Sequence, residues 1–297
     1  QPPYRCFRYI MPGAPSASSK GAGVQEQIKN AYDRPYLPGS TLKGALRSIL
    51  FWASYTDRHK KPDLDALRFS RSWAAQDLER DFFGRDPNHD WLRALHVEDS
   101  APLEPPKLRL QQVRVYSART PGAPGAPVDV EAAPMRVAFS SRIRLDEYFL
   151  HADIARKLGW PSPRDWFTRL AEWGCARANQ RIAREQRFFG RLPALATFYQ
   201  GLVAQLGALA ENEFLAQVGW GAGWESKTLG SELLAADKVA FENVLGRFHM
   251  TRGRCQSDDA FPISRALALN DAGQPHAPLG WVKIRLDGYE PAKGDAP

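Results

Sequence analysis

The side chains best spaced to do chemistry lie between Arg34 and Leu50, where a turn, a helix start and two cations share one short stretch. Pro38 and Gly39 break an extended run, and Ser40 is a favourable N-cap. Leu42, Ala45, Leu46, Ile49, Leu50 and Ala53 then recur at helical spacing. The spacing predicts a helix from about Thr41 to Tyr55. Lys43 and Arg47 are four residues apart, so both project from one side of its first turns. Cations at a helix N-terminus oppose the macrodipole unless an anion, such as a phosphate, sits between them. The segment is not a nucleotide P-loop, because Ala45 and Leu46 stand where Gly39 and Gly44 would require Lys and Ser or Thr. The competing reading is an amphipathic helix with Lys43 and Arg47 in solvent.

A second segment, Val218 to Thr228, alternates Gly219, Gly221 and Gly223 with Trp220, Ala222 and Trp224 and ends in Ser226, Lys227 and Thr228. One letter separates it from a P-loop, but the chain lacks the strand pattern and metal-binding Asp of such a domain. Backbone N–H groups approaching a phosphodiester, backed by Lys227, fit the pattern. A tight turn packed around Trp220 and Trp224 fits it too.

Two strand patterns add cations. Met135 to Leu145 reads as a strand with Arg142 and Arg144 on one face and Ile143 and Leu145 on the other. Residues 281–286 alternate Trp281, Lys283 and Arg285 against Val282, Ile284 and Leu286. An apolar face on helices and an aromatic, basic face open to single-stranded RNA would have this pattern. Arg177, Arg181, Arg184 and Arg187 line one helix stripe, which is expected to be solvated and paired with Glu185.

These residues need a scaffold, and 297 residues can bury a substantial core. A helical pattern through Leu67, Trp73, Leu78 and Phe82 should stop at Phe83 and Gly84. Lys107 to Tyr116 reads as a strand with a bulge near Gln112, and Pro121 to Pro134 as a projecting loop or hairpin arm. Asp146 to about Ala216 is helix-rich. Residues 12–23 form a loop-rich entry, and an N-terminal piece is expected to be missing or poorly ordered.

Forty Lys and Arg against 33 Asp and Glu give a net charge of +7, and 29 of the cations are arginine. That balance favours polyanionic partners, although an arginine-rich proteome would have the same composition. Cys6, Cys175 and Cys255 are scattered and show no zinc spacing, which points to a reducing cytoplasmic compartment. No apolar run is long enough for a membrane span, so no membrane partner is expected, and no cofactor or metal is implied.

Tyr36 to Arg47, Phe82 to Gly84 with His96 to Ser100, and the glycine loop ending in Lys227 and Thr228 together resemble the RAMP (repeat-associated mysterious protein) superfamily of CRISPR effector subunits. Phe261 and Pro262, with Pro278 to Val282, narrow the resemblance to the fifth subunit of the type III-A Csm complex. The resemblance spans roughly Tyr36 to Leu286. It implies an α+β fold with a modified RRM-like (ferredoxin-like) antiparallel sheet and a helix-rich insertion or second domain. On this reading residues 1–145 hold the RRM-like core, and 146–297 the helix-rich part, the glycine loop and the closing strands.

The resemblance further implies a non-catalytic subunit that binds guide (CRISPR) RNA at its 3′ part. Target RNA and neighbouring RAMP backbone subunits of the Csm complex are its other expected partners. The first strand of the family and its His-Ile-Gly-type loop are absent. Asp33 does not match the cleavage aspartate of related subunits, so no catalytic role passes to it. The expected RNA-binding residues are Gly39, Ser40, Lys43, Arg47, Arg142, Arg144, Gly219, Gly221, Gly223, Lys227, Trp281 and Lys283.

The alternative function is a metal-independent endoribonuclease that processes repeat RNA, with His249 beside Arg252 and Arg254 as its candidate acid–base group. His89 and His96, seven residues apart beside Asp90 and Glu98, read as helix or loop histidines and not as a catalytic pair. A metal site from Glu98, Asp99, Asp258 and Asp259 would need the fold to gather carboxylates that spacing leaves apart.

Overall fold

The computed structural model describes residues 7–16, 23–57, 63–65, 67–103, 107–117, 125, 127–147, 151–158, 160, 163–189, 192–251 and 261–288. The first long element is helix α1, Gly39–Asp57, followed by α2, Gln76–Phe83. As the sequence predicts, α2 stops at Gly84, whose φ is 130°. A Cβ there would lie 2.0 Å from the His89 carbonyl oxygen.

Strand β1, Leu95–Val97, pairs antiparallel with β4, Ile143–Leu145. Only these last three residues of the predicted Met135–Leu145 strand are extended and paired, and Arg136 has φ 65°. Strands β2, Arg109–Ser117, and β3, Pro127–Ala132, form a hairpin, so part of the expected proline-rich arm is sheet. Their register runs unbroken past Gln112↔Asp129, and the expected bulge is absent. An irregularity occurs instead between Ala268 and Leu269.

The helix-rich stretch contains α3, Ala152–Leu158; α4, Pro163–Thr168; α5, Leu170–Phe189; and α6, Pro193–Gly207. Strand β5, Glu213–Gln217, follows, then the glycine loop, α7, Gly230–Ala236, and α8, Lys238–Arg247. The closing strands are β6, Ser264–Leu269; β7, Pro275–Pro278; and β8, Trp281–Arg285. The fold is α+β. One antiparallel sheet has the order β3-β2-β6-β7, and β5 pairs antiparallel with β8.

Two cores meet on the β5–β8 ribbon. Phe214, Ala216, Val282 and Ile284 pack into the first, with Leu46, Leu50, Phe82, Phe83, Trp91, Trp166 and Trp173. Its aromatic rings pack edge-to-face or tilted, with Phe82–Trp166 and Trp166–Trp173 centroids 4.7 Å apart. Leu215 and Trp281 turn to the second core, with Ile182, Tyr199, Leu202 and Leu267. The expectation of an open face is therefore corrected at Trp281, whereas Lys283 and Arg285 on the same face are exposed. Alternation revealed two faces, but the residues covering Trp281 come from α5, α6 and β6.

The arginine stripe of α5 is corrected in the same sense. Arg177 and Glu185 are buried, and Arg184 and Arg265 are largely so. Arg265 pairs with Glu185 at 3.0 Å and Arg184 with Glu225 at 3.1 Å. Spacings of four, three and three put Arg177, Arg181, Arg184 and Arg187 on one face, and the fold turned the first three inward while Arg187 stays exposed.

Candidate nucleic-acid interface

The start of α1 is closed by the chain's own groups. Helix geometry begins at Gly39, so Ser40 lies in the first turn and is not the cap. The Gly39 N–H donates to Asp99 Oδ1 at 2.7 Å, which places a carboxylate where a phosphate was expected. A Cβ on Gly39 would lie 2.2 Å from the Val97 carbonyl oxygen, so only glycine permits this approach. Residues 97–100 are tied on both sides. The Ser100 N–H donates to the Leu37 carbonyl at 2.9 Å, and the Glu98 N–H to the Arg142 carbonyl at 3.0 Å.

Lys43 and Arg47 are also engaged within the chain. Lys43 Nζ donates to the Leu95 carbonyl oxygen at 2.7 Å. Burial holds its ammonium below the ordinary value, with Asp90 opposing that shift and Arg47 reinforcing it. Arg47 bridges Asp90 at 2.7 Å and Glu79 at 3.0 Å, and its guanidinium lies 3.6 Å over the Phe83 ring. The cations therefore join α1 to β1, α2 and the turn before β1. Exposed groups at this end are Ser40, Arg142 and Arg144. Arg144 stands 3.4 Å from Glu98, and Arg142 has no side-chain partner among the described residues.

The glycine loop is built differently. Gly219 and Gly223 have φ 78° and 71° with ψ −164° and −172°, a region essentially closed to other residues. Both are exposed, and a Cβ on either would meet nothing within 4 Å. Their conformation leaves the backbone open to solvent. Gly221 is packed instead, its Cβ position 2.3 Å from Leu279 Cβ.

Of the two tryptophans expected inside the turn, only Trp224 is packed, 5.2 Å from Phe261. A Cβ on Gly230 would strike its ring. Trp220 is 50% exposed, and Lys227 is exposed. The loop is anchored from below by Arg177, which donates to the carbonyl oxygens of Ser48 on α1 and Ser226 in the loop. Ser226 Oγ donates to the Ala222 carbonyl at 3.0 Å. Gln217 Nε2 donates to the Leu279 carbonyl at 2.6 Å.

Of the remaining predicted residues, Lys283 pairs with Glu213 at 2.8 Å, and Arg181 lies 5.7 Å over the Trp281 ring. Sequence reasoning missed Asp99 as the α1 cap and Trp220 as an exposed ring. The Gly-Trp-Gly pattern is the one local signal for the second.

His249 is exposed in the turn after α8, with φ 48°, and Arg252 and Arg254 lie outside the described residues. His89 is held by Asp86 at 2.8 Å. Among the described residues no group of three His, Cys, Asp or Glu could hold a metal, and Asp258 and Asp259 lie outside them. No helix among the described residues is long and apolar enough to cross a membrane.

The family model described as "RAMP superfamily" matches residues 16–226. A curated protein of Streptococcus thermophilus, "CRISPR system Cms protein Csm5", is 30% identical over 132 residues. That match takes in 42% of this chain and 35% of the relative, so the chain spans about a third of that protein's length. A chain in the "Cryo-EM structure of Csm-crRNA-target RNA ternary complex in type III-A CRISPR-Cas system" is 25% identical with a TM-score of 0.67, covering 90% of this chain and 76% of that one. "Crystal structure of T.onnurineus Csm5" shares the fold at 23% identity and a TM-score of 0.54, over 88% of this chain and 73% of that one.

Proposed function

This chain belongs to the RAMP superfamily, and from that premise we propose that it is a non-catalytic, guide-RNA-binding subunit of a cytoplasmic type III-A CRISPR effector complex. It caps the 3′ end of the guide-RNA filament, next to RAMP backbone subunits and within reach of target RNA. It comprises an RRM-like part over residues 1–145 and a helix-rich part over 146–297, with β6 and β7 of the second part completing the sheet of β2 and β3. The likeness to a chain in a Csm–crRNA–target RNA complex supports the partner set.

The observation that carries the RNA reading is the glycine loop, with open backbone at Gly219 and Gly223 and an exposed aromatic and cation at Trp220 and Lys227. Backbone N–H groups and Lys227 meet phosphates, and the Trp220 indole stacks on a base. Ser40, Arg142 and Arg144 make a second contact beside the start of α1. Gly39, Lys43, Arg47, Gly221, Trp281 and Lys283 serve as scaffold for both.

The test is binding of single-stranded guide RNA, measured against salt concentration in the assembled complex. Trp220→Ala should weaken affinity about tenfold, within the 1–3 kcal/mol typical of base stacking. Lys227→Ala should reduce the salt slope by about one. Unchanged affinity and slope in both variants would remove the loop from the interface.

A further inference from the structure

We propose that the protein holds one small inorganic anion, of halide size, in the cavity between α1, α5, β5 and β8 beneath the glycine loop. The cavity measures about 30 Å³, and its lining includes Ile49, Arg177, Arg181, Gln217, Ser226 and Trp281. That volume accepts a water molecule or a monatomic ion and is too small for a nucleotide. Arg177 and Arg181 are one helical turn apart, so both guanidinium groups border the same space.

Neither guanidinium is hydrogen-bonded to a carboxylate. Arg177 donates to the carbonyl oxygens of Ser48 and Ser226, and Arg181 to Gln217 Oε1 at 2.8 Å. The nearby carboxylates are engaged elsewhere: Glu185 with Arg265, Glu225 with Arg184 and Ser231, and Glu232 with the Trp52 indole N–H. Among the described residues, four arginines (177, 181, 184 and 265) thus face three glutamates (185, 225 and 232), one positive charge in excess. An uncompensated buried charge is strongly unfavourable, and a buried anion offsets it.

The polar lining also selects an acceptor. Arg181 Nε is buried without a hydrogen-bond partner. The Gln217 amide is committed at both ends, and the Ser226 hydroxyl donates to the Ala222 and Gly223 carbonyls. What remains are N–H donors, at Arg181 Nε and at the Trp281 indole, in a positive setting. Water would accept those bonds without neutralising the charge, whereas a halide does both. Because Arg177 and Arg181 bond to α1, β5 and the loop, the anion stiffens the floor on which Gly219 to Lys227 stand.

Crystals of the protein soaked in bromide should give an anomalous difference peak in the cavity, within bonding distance of Arg181 Nε. Absence of that peak overturns the proposal. In solution, the melting midpoint should be a few degrees higher in chloride than in gluconate at equal ionic strength, as linkage to a native-state ligand requires. Arg181→Met should abolish that difference. Equal midpoints in the two salts for the unmodified protein, or a full difference kept by Arg181→Met, would also overturn it. If Arg181→Met does not fold, the bromide map decides alone.

Discussion

The start of α1 and the glycine loop use the same ingredients, glycine, a hydroxyl side chain and lysine, yet the fold puts them to opposite use. At α1 the glycine is buried against residues 97–98, a carboxylate caps the helix, and both cations hold neighbouring elements. In the loop two glycines sit in open space, the lysine is exposed, and the internal bonds come from below through Arg177 and Gln217. A phosphate-binding composition is therefore not a phosphate-binding site. The difference lies in whether another part of the chain already supplies the counter-charge.

The largest expected effect sharpens this contrast through the glycines. Gly39→Ala drives a Cβ into the backbone of residues 97–98, which cannot move without breaking the β1–β4 pairing. It should destabilise the protein by about 3 kcal/mol or more. Gly223→Ala meets no neighbour and carries only backbone strain, about 1–3 kcal/mol. Chemical denaturation of both variants checks the order, and a reversed order would break the comparison.

Arg47→Ala comes next. It leaves Asp90 and Glu79 without their shared partner and should lower stability by about 2 kcal/mol, while the salt slope of RNA binding stays unchanged. A flattened slope at unchanged stability would return Arg47 to the RNA interface.

Asp99→Ala removes the acceptor of the Gly39 N–H and should cost about 1 kcal/mol. Asp99→Asn keeps an acceptor and loses only the interaction with the helix dipole, a few tenths of a kcal/mol. Thermal melts of the two variants distinguish a cap from a general acidic contact.

The smallest effect concerns Glu232 below the loop. Burial raises its pKa above the ordinary 4.5, with Arg177 opposing that shift. The native state then binds more protons than the unfolded chain above pH 4.5. The associated stability is full below that pH and is lost as pH rises through the raised value. Glu232→Gln should flatten this dependence above pH 4.5 while keeping an acceptor for the Trp52 indole N–H. Melting midpoints across that range would show it.

Local grammar was legible. The periodicity of Leu42 to Ala53 located α1, Gly84 ended α2, and the alternation in Trp281 to Leu286 identified β8 and its two faces. Each depends on neighbours within a few residues, where backbone geometry and side-chain period act directly. The glycine loop was legible as well, because alternating glycines mark backbone that other residues cannot form.

Partners across the sequence were not legible. Asp99 reaches Gly39 across 60 residues, and Glu185 meets Arg265 across 80. No local pattern specifies which carboxylate meets which cation, so Ser40 reads as the cap and the α5 arginines as solvated. The sequence by itself determined α1, the end of α2 and the alternation of β8, and where glycine permits unusual backbone. Only the tertiary structure decided which charged faces turn inward, because burial and counter-charge are properties of elements packed together and not of the residues that carry them.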